Sequence, residues 1–395
     1  MDSVGENKNV VLITGPPNNG RDECITKVFS QLNEKKRAGY YHVFKYMQKA
    51  SPDCGIPNLT RENVFDITNE KLDEIRERAF LEVIKEIQKS DNDIDIVSTP
   101  AVFKVPHRGT YFTGEVEGLN LDILNSLKPK LIVIFIDDLL RVRERIRVDE
   151  LRNEMNLKLK DLAEWRESAI KIIKSYADTM IGKGVRVDFV IFAKEHPSNT
   201  FVDLILGEKP RIYLSYHITG QEDFEDVNRL ISKLEKSFIC LNPYAIKDWL
   251  IVKAFDDAIE RNEDTVSIEL SYMDGAKINA EIPLDEAKEA IDLIRSQIVE
   301  RDLDIIASVH ATVVYHKSKE PSYGVMVEVF HSSVVVQRPV YVLYPFKIRP
   351  SPFFEHYIVK KRNLIQGTNK IEEMEDALVA KLEEEFPSWQ TWPIK

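Results

Sequence analysis

Asp302 and Glu328 flank an apolar run and a polar loop, an order that suits chemistry at an anomeric carbon. There, one carboxylate attacks or stabilises an oxocarbenium-like centre while a second acid assists the leaving group. Such a pair works only if separate elements bring the two side chains together. The pattern from Ile298 to Pro345 predicts those elements. A helix holding Asp302 leads into the apolar run Ala311 to Tyr315, followed by the polar loop His316 to Tyr323. Gly324 then opens a helix carrying Glu328, and Val340 to Leu343 reads as another buried strand. This βα unit puts both carboxylates at one sheet edge.

A second constellation lies near the start of the chain. The β-branched run Val10 to Thr14 enters Gly15-Pro-Pro-Asn-Asn-Gly20, and Glu23 to Lys35 has helical spacing. Strand, glycine loop and helix in that order form a P-loop, whose backbone N–H groups, with Gly15, Asn19 and Gly20 in the turn, cradle phosphate. A working loop continues with Lys and then Ser or Thr, for the outer phosphates and Mg²⁺. Here Arg21 and Asp22 stand in those places. Arginine keeps the charge but not the compact ammonium, and a carboxylate beside phosphate repels it unless a cation intervenes. Arg143, Arg145, Asp149 and Arg152 follow in an R-x-R-x-x-D-x-x-R pattern, where Arg145 and Arg152 are placed to clamp a phosphate. Each residue also has an ordinary structural role: carboxylates cap helices, a strand tyrosine fills a core, and arginines in a mixed-charge helix make exposed pairs.

The remaining pattern positions these groups. Helical spacing from Asn69 to Lys89 precedes a strand at Asp93 to Ser98, and Leu131 to Ile136 is a buried strand ending at Asp137-Asp138. A long helix from Asp149 to Gly182 precedes a strand at Val185 to Phe192. Alternation of this kind predicts parallel sheets covered by helices, an α/β fold. The Pro-, Ser-, Asn- and Gly-containing stretch Lys194 to Pro210 divides the chain, with residues 1–206 as one domain and 207–395 as another. A hairpin at Val266 to Ile282, turning at Asp274-Gly275, reads as an insertion in the second domain.

Composition bounds the partners. A net charge of -11, from 54 basic and 65 acidic residues, leaves no electrostatic footprint for duplex nucleic acid. Three cysteines without metal spacing predict neither a disulfide framework nor a metal site. No apolar run reaches the length of a membrane span, and the polar opening residues do not read as a secretory signal, so a soluble cytoplasmic protein is expected.

The ordered motifs E-R-D-L, P-S-x-G-V-x-x-E and a strand after Pro339 resemble the 2'-deoxynucleoside 5'-phosphate N-hydrolases and the wider nucleoside 2-deoxyribosyltransferase family. The resemblance runs from about Pro210 to Phe386. It implies a flavodoxin- or Rossmann-like domain in which Glu328 is the nucleophile at C1', Asp302 orients or protonates the departing base, and Tyr213 positions the nucleophile. Ser322 falls where the hydrolases place a phosphate-binding serine, often lent by a partner subunit. Gly324, His217 and Gly220 are the further substrate-binding positions. Tyr216 stands where the family has glycine, and His217 and Thr219 replace a serine and an arginine.

Residues 8 to 205 resemble the archaeal-type adenylate kinases and related P-loop nucleotide kinases. The supporting segments are VSTPAVFK at Val97 to Lys104, LKPKLIVIFID at Leu127 to Asp137, and the Arg-rich pattern. Together the resemblances imply hydrolysis or transfer at an N-glycosidic bond of a nucleoside or nucleotide, with a regulatory or structural kinase-like half. They require no cofactor for the glycosyl step, allow ATP and Mg²⁺ at the first domain, and imply a homodimer or larger even assembly. The alternatives are a non-catalytic nucleotide sensor and an ATP-dependent nucleotide kinase.

Overall fold

The computed structural model describes residues 3–5, 8–106, 113–149, 156–218, 224–317, 322–358, 363–367 and 370–386. Contacts divide the chain into two compact units, one formed by Met1–Glu195 with Ile246–Ile298, the other by His196–Ala245 with Val299–Lys395. Each is α/β with a five-stranded parallel sheet.

The first unit runs β1 (Val10–Thr14), α1 (Arg21–Lys35), β2 (Ala38–His42), α2 (Val43–Ala50), α3 (Asn69–Lys89) and β3 (Ile94–Ser98). An antiparallel pair follows, β4 (Val102–Pro106) and β5 (Thr113–Glu117). Then come α4 (Leu121–Leu127), β6 (Leu131–Ile136), α5 (Leu139–Val148), α6 (Leu159–Gly182) and β7 (Asp188–Ala193). The sheet order is β2-β3-β1-β6-β7. Every residue of β1, β3 and β6 is buried, as expected of parallel strands covered on both faces.

The chain then enters the second unit with α7 (Ser198–Leu206), β8 (Arg211–Tyr216), α8 (Glu225–Leu234) and β9 (Ile239–Leu241). It returns to the first for α9 (Trp249–Arg261) and the hairpin β10 (Thr265–Ser271) and β11 (Lys277–Pro283). Helix α10 (Leu284–Ala307) carries it across again at Ile298. The second unit is completed by β12 (Ala311–Tyr315), α11 (Tyr323–Phe330), β13 (Val340–Tyr344), α12 (Pro352–Tyr357), β14 (Leu364–Gln366) and α13 (Ile371–Glu385). Its sheet order is β14-β13-β12-β8-β9.

The strand alternation of the second sheet assigns its faces. Ile212, Leu214, Tyr216, Val313 and Leu343 pack with Val227 and Leu230 of α8 and Leu378 and Leu382 of α13. Val314, Val340 and Val342 pack with Val325 and Val329 of α11 and with Phe354 of α12. Tyr213 and Ser215 therefore belong to the face that α11 covers. The direction of the strand order reverses between β8 and β12, where open parallel sheets leave a crevice at the carboxyl ends of the strands.

Two expectations differ from this arrangement. The hairpin clusters with the first unit rather than the second, so a single division near residue 207 is replaced by three crossings. Buried polar ties explain it: Asp248 accepts from Leu139 N at 3.0 Å and from Arg166 Nη1 at 2.6 Å. Arg166 also reaches Gln297 at 2.7 Å. The long helix expected from Asp149 begins only at Leu159, because Asp161 accepts the Lys158 N–H at 2.8 Å and closes the helix there. Arg143 and Arg145 lie instead on α5, which Asp149 caps. No helix among the described residues is long and apolar enough to cross a membrane.

Candidate functional site

Glu328 sits two residues before the end of α11, on the side turned to β8. Tyr213 donates its hydroxyl to Glu328 Oε1 at 2.8 Å, and Ser215 donates to Oε2. The two donors lie two residues apart on one strand, so the pleat aims both at the same carboxylate. Tyr213 is fully buried, and that burial, with the nearby charges of Asp302 and Glu328, raises its pKa well above the phenol range. It therefore remains a donor. After α11 the chain continues as a π-helical turn, His331–Val335, a local irregularity often found beside functional side chains.

Asp302, near the end of α10, is held by Arg301, whose Nε donates to Oδ1 at 2.9 Å. Burial raises the Asp302 pKa, and Arg301 opposes the rise. Glu328 is pushed up to about 8, first by burial and next by the charge of Asp302, while the hydrogen bonds from Ser215 and Tyr213 pull it down. The two carboxylates are thus close enough to titrate against one another. The charge of Asp302 therefore favours the protonated form of Glu328.

The other sequence-named positions fall in different places. Ser322 is the N-cap of α11, accepting from Val325 N at 3.4 Å. Gly324 is exposed, and a Cβ there would meet Ser322 Oγ at 3.9 Å; His217 follows β8 directly at the crevice end of the strand. Gly220 and Arg152 lie outside the described residues. His310 is at the opposite end of the sheet, where Nδ1 accepts from Arg211 N at 3.1 Å; burial and Arg211 lower its pKa to about 3. Tyr216 donates to Asn242 at 2.8 Å and sits edge-on to Phe224, whose ring lies 4.8 Å from that of Tyr244. Tyr216 packs on the α8 and α13 side of the sheet, the face opposite to the one that carries Tyr213 and Ser215.

Sequence reasoning missed Ser215 and Arg301. A serine two residues beyond Tyr213 in a strand was the available signal, since period two assigns both to one face. Arg301 precedes Asp302 in the chain, and neighbouring residues on a helix are not expected to face each other.

In the first unit the loop takes the turn its glycines predict. Gly15 has φ 136°, and a Cβ there would stand 2.3 Å from Phe135 O. Gly20 has φ 78° and starts α1. Asn19 braces the turn, donating to Phe135 O at 2.6 Å and accepting from Arg21 N at 3.1 Å. Arg145 donates to Asn18 O at 2.9 Å and to Asp137 at 2.6 Å. Arg21 turns to Ser98 at 2.8 Å and to Asp22 at 3.1 Å. Asp22 also accepts from Ser98 and from Tyr40 at 3.0 Å, with His42 at 3.5 Å. Burial works against the charge of Asp22, but Arg21, His42 and Ser98 outweigh it and hold the pKa well below the carboxylate range. A cavity of about 320 Å³ in the first unit, lined by Asp73, Arg76, Glu77 and Glu117 among others, shares no lining residue with the glycine loop.

The sequence matches no protein-family model and no curated protein.

Proposed function

We propose that the second unit catalyses cleavage or transfer at the N-glycosidic bond of a nucleoside or nucleotide. The observation that carries this reading is the pairing of Glu328 with Asp302, the first oriented by Tyr213 and Ser215 and the second by Arg301. Two neighbouring carboxylates with raised pKa values suit a step needing a nucleophile and an acid together. The strand order β9-β8-β12-β13-β14 agrees with the flavodoxin-like arrangement that the motifs imply.

In the reaction the proton resides on Asp302 and Glu328 is ionised. Glu328 attacks C1', the bond from C1' to the base nitrogen breaks, and its electron pair leaves with the base. Asp302 gives that nitrogen its proton. Water or a second base then attacks C1', expels Glu328 as carboxylate and returns a proton to Asp302. Tyr213 and Ser215 hold the attacking carboxylate along one direction, which limits the reorientation needed before attack. Ser322 retains its hydroxyl proton to donate to a substrate phosphate while accepting from Val325 N.

A chromatographic screen for free base over common ribo- and deoxynucleosides and their 5'-phosphates, with and without a second base, tests this. Base release without an acceptor identifies a hydrolase, and exchange only with an acceptor identifies a transferase. No release under either condition, from protein shown to be folded, overturns the assignment.

A further inference from the structure

The cavity of the first unit is lined by an arginine with unused donors. Arg76, on α3, is 7% exposed. Its Nη1 donates to Asp73 Oδ1 at 2.6 Å, and the guanidinium makes no other hydrogen bond among the described residues. A guanidinium is a fork of several N–H donors, so a buried one with a single bond lacks acceptors. Burial lowers the Arg76 pKa, while Asp73, Glu117 and Glu77 oppose the fall, so all three carboxylates lie within reach of its charge. Glu77 is exposed and makes no hydrogen bond among the described residues, and Glu117 accepts from Tyr176 at 2.6 Å. Three carboxylates against one guanidinium leave an excess of two negative charges around the cavity. The carboxylates line it without converging as a metal-binding group does. Leu119 and Ile123, both 1% exposed, add an apolar wall.

We propose that this cavity binds a free basic amino acid, its carboxylate on the unused N–H groups of Arg76 and its cationic groups among Glu77, Asp73 and Glu117. The guanidinium fork is shaped for a carboxylate, and a carboxylate enters a negatively charged cavity when the same molecule brings positive charge with it. An acid without an amine would add to the excess negative charge. A simple amine would leave Arg76 without acceptors. A lysine- or arginine-like ligand answers both, with its methylene stem along Leu119 and Ile123. The site is independent of the glycosyl reading, because every residue in it belongs to the first unit.

Calorimetric titration of the full-length protein with L-lysine, L-arginine, L-norleucine and cadaverine tests the proposal. Norleucine is lysine without its side-chain ammonium, and cadaverine is lysine without its carboxylate. Saturable binding of lysine or arginine is expected, with norleucine and cadaverine each at least about tenfold weaker. Arg76→Lys keeps a cation beside Asp73 but not the fork, and should weaken binding at least about tenfold. Glu77→Gln, at an exposed position with no hydrogen bond to lose among the described residues, should weaken it about threefold or more in protein that melts as wild type does. Glu82→Gln, further along α3 and paired with Lys85, leaves affinity unchanged. Absence of saturable binding by both lysine and arginine, cadaverine binding as tightly as lysine, or wild-type affinity in Arg76→Lys or Glu77→Gln overturns it.

Discussion

Each unit buries a pair of carboxylates, and the two pairs are held differently. In the first, Asp138 and Asp248 are each 1% exposed, and Asp138 is pushed up to about 7 by burial and then by Asp248. The Leu139 N–H and the Arg166 guanidinium take both oxygens of Asp248, and the Lys247 N–H takes Asp138 Oδ1, while Asp138 Oδ2 is buried without a hydrogen-bond partner among the described residues. In the second, Glu328 and Asp302 receive side-chain donors only, Glu328 is half-buried and Asp302 is 14% exposed. Both pairs therefore show raised pKa values, yet one joins distant segments of backbone and the other keeps part of its carboxylate surface exposed. A perturbed carboxylate marks a site only when its partners leave it reachable.

Substitutions can break that comparison from either side. Glu328→Gln should lower kcat/KM for base release by roughly a thousandfold or more while the protein still folds; wild-type turnover would remove the nucleophile. Arg166→Met should leave the kinetics of folded protein intact but cost about 3–5 kcal/mol of first-unit stability, because Asp248 is left buried without its cation. Denaturant unfolding reads the loss. Asp302→Asn should reduce kcat/KM about a hundredfold for ordinary bases and far less for an N7-methylated purine, which departs without protonation. An equal loss for both leaving groups would assign Asp302 a purely structural part.

The smaller effects depend on pH. Because the attacking carboxylate must be ionised, kcat/KM should rise as pH climbs toward about 8, where Glu328 loses its proton, and Asp302→Asn, which removes a charge that raises that pKa, should move the rise to lower pH. Stability follows the same group. The folded pKa of Glu328 is raised above its ordinary value of 4.5, so its contribution is complete below that value and is lost as pH rises through about 8. Glu328→Gln should match wild type in melting temperature near pH 4 and exceed it by roughly 2–4 °C near pH 9. A gap of constant size would contradict the shift.

Much of this was legible from local pattern. The β-branched strands, the glycine loop, the hairpin turn at Asp274-Gly275 and the order of strand, loop and helix around Glu328 are all short-range signals, and the structure has those elements. Tyr213 donates to Glu328, and the charge of Asp302 raises the Glu328 pKa. What stayed hidden depends on distant residues. Lys194 is an isolated lysine after a strand, and nothing nearby in sequence announces Gly20 beside it. Arg166 and Asp248 are joined only through folding, so the attachment of residues 246–298 to the first unit left no mark in composition. The break before Leu159 escaped because Asp161 closes a helix start that the 3.6-residue period alone does not punctuate.

The interleaved path of the chain has a practical outcome for anyone dissecting it. A truncated fragment starting at residue 207 would retain Asp248 and Gln297 but discard Arg166, exposing ionised and amide groups that evolved inside someone else's interior. Grafting a short linker between Ala245 and Val299 is the cut that respects the architecture, since it excises the borrowed stretch whole and leaves Tyr213, Asp302 and Glu328 on a single piece.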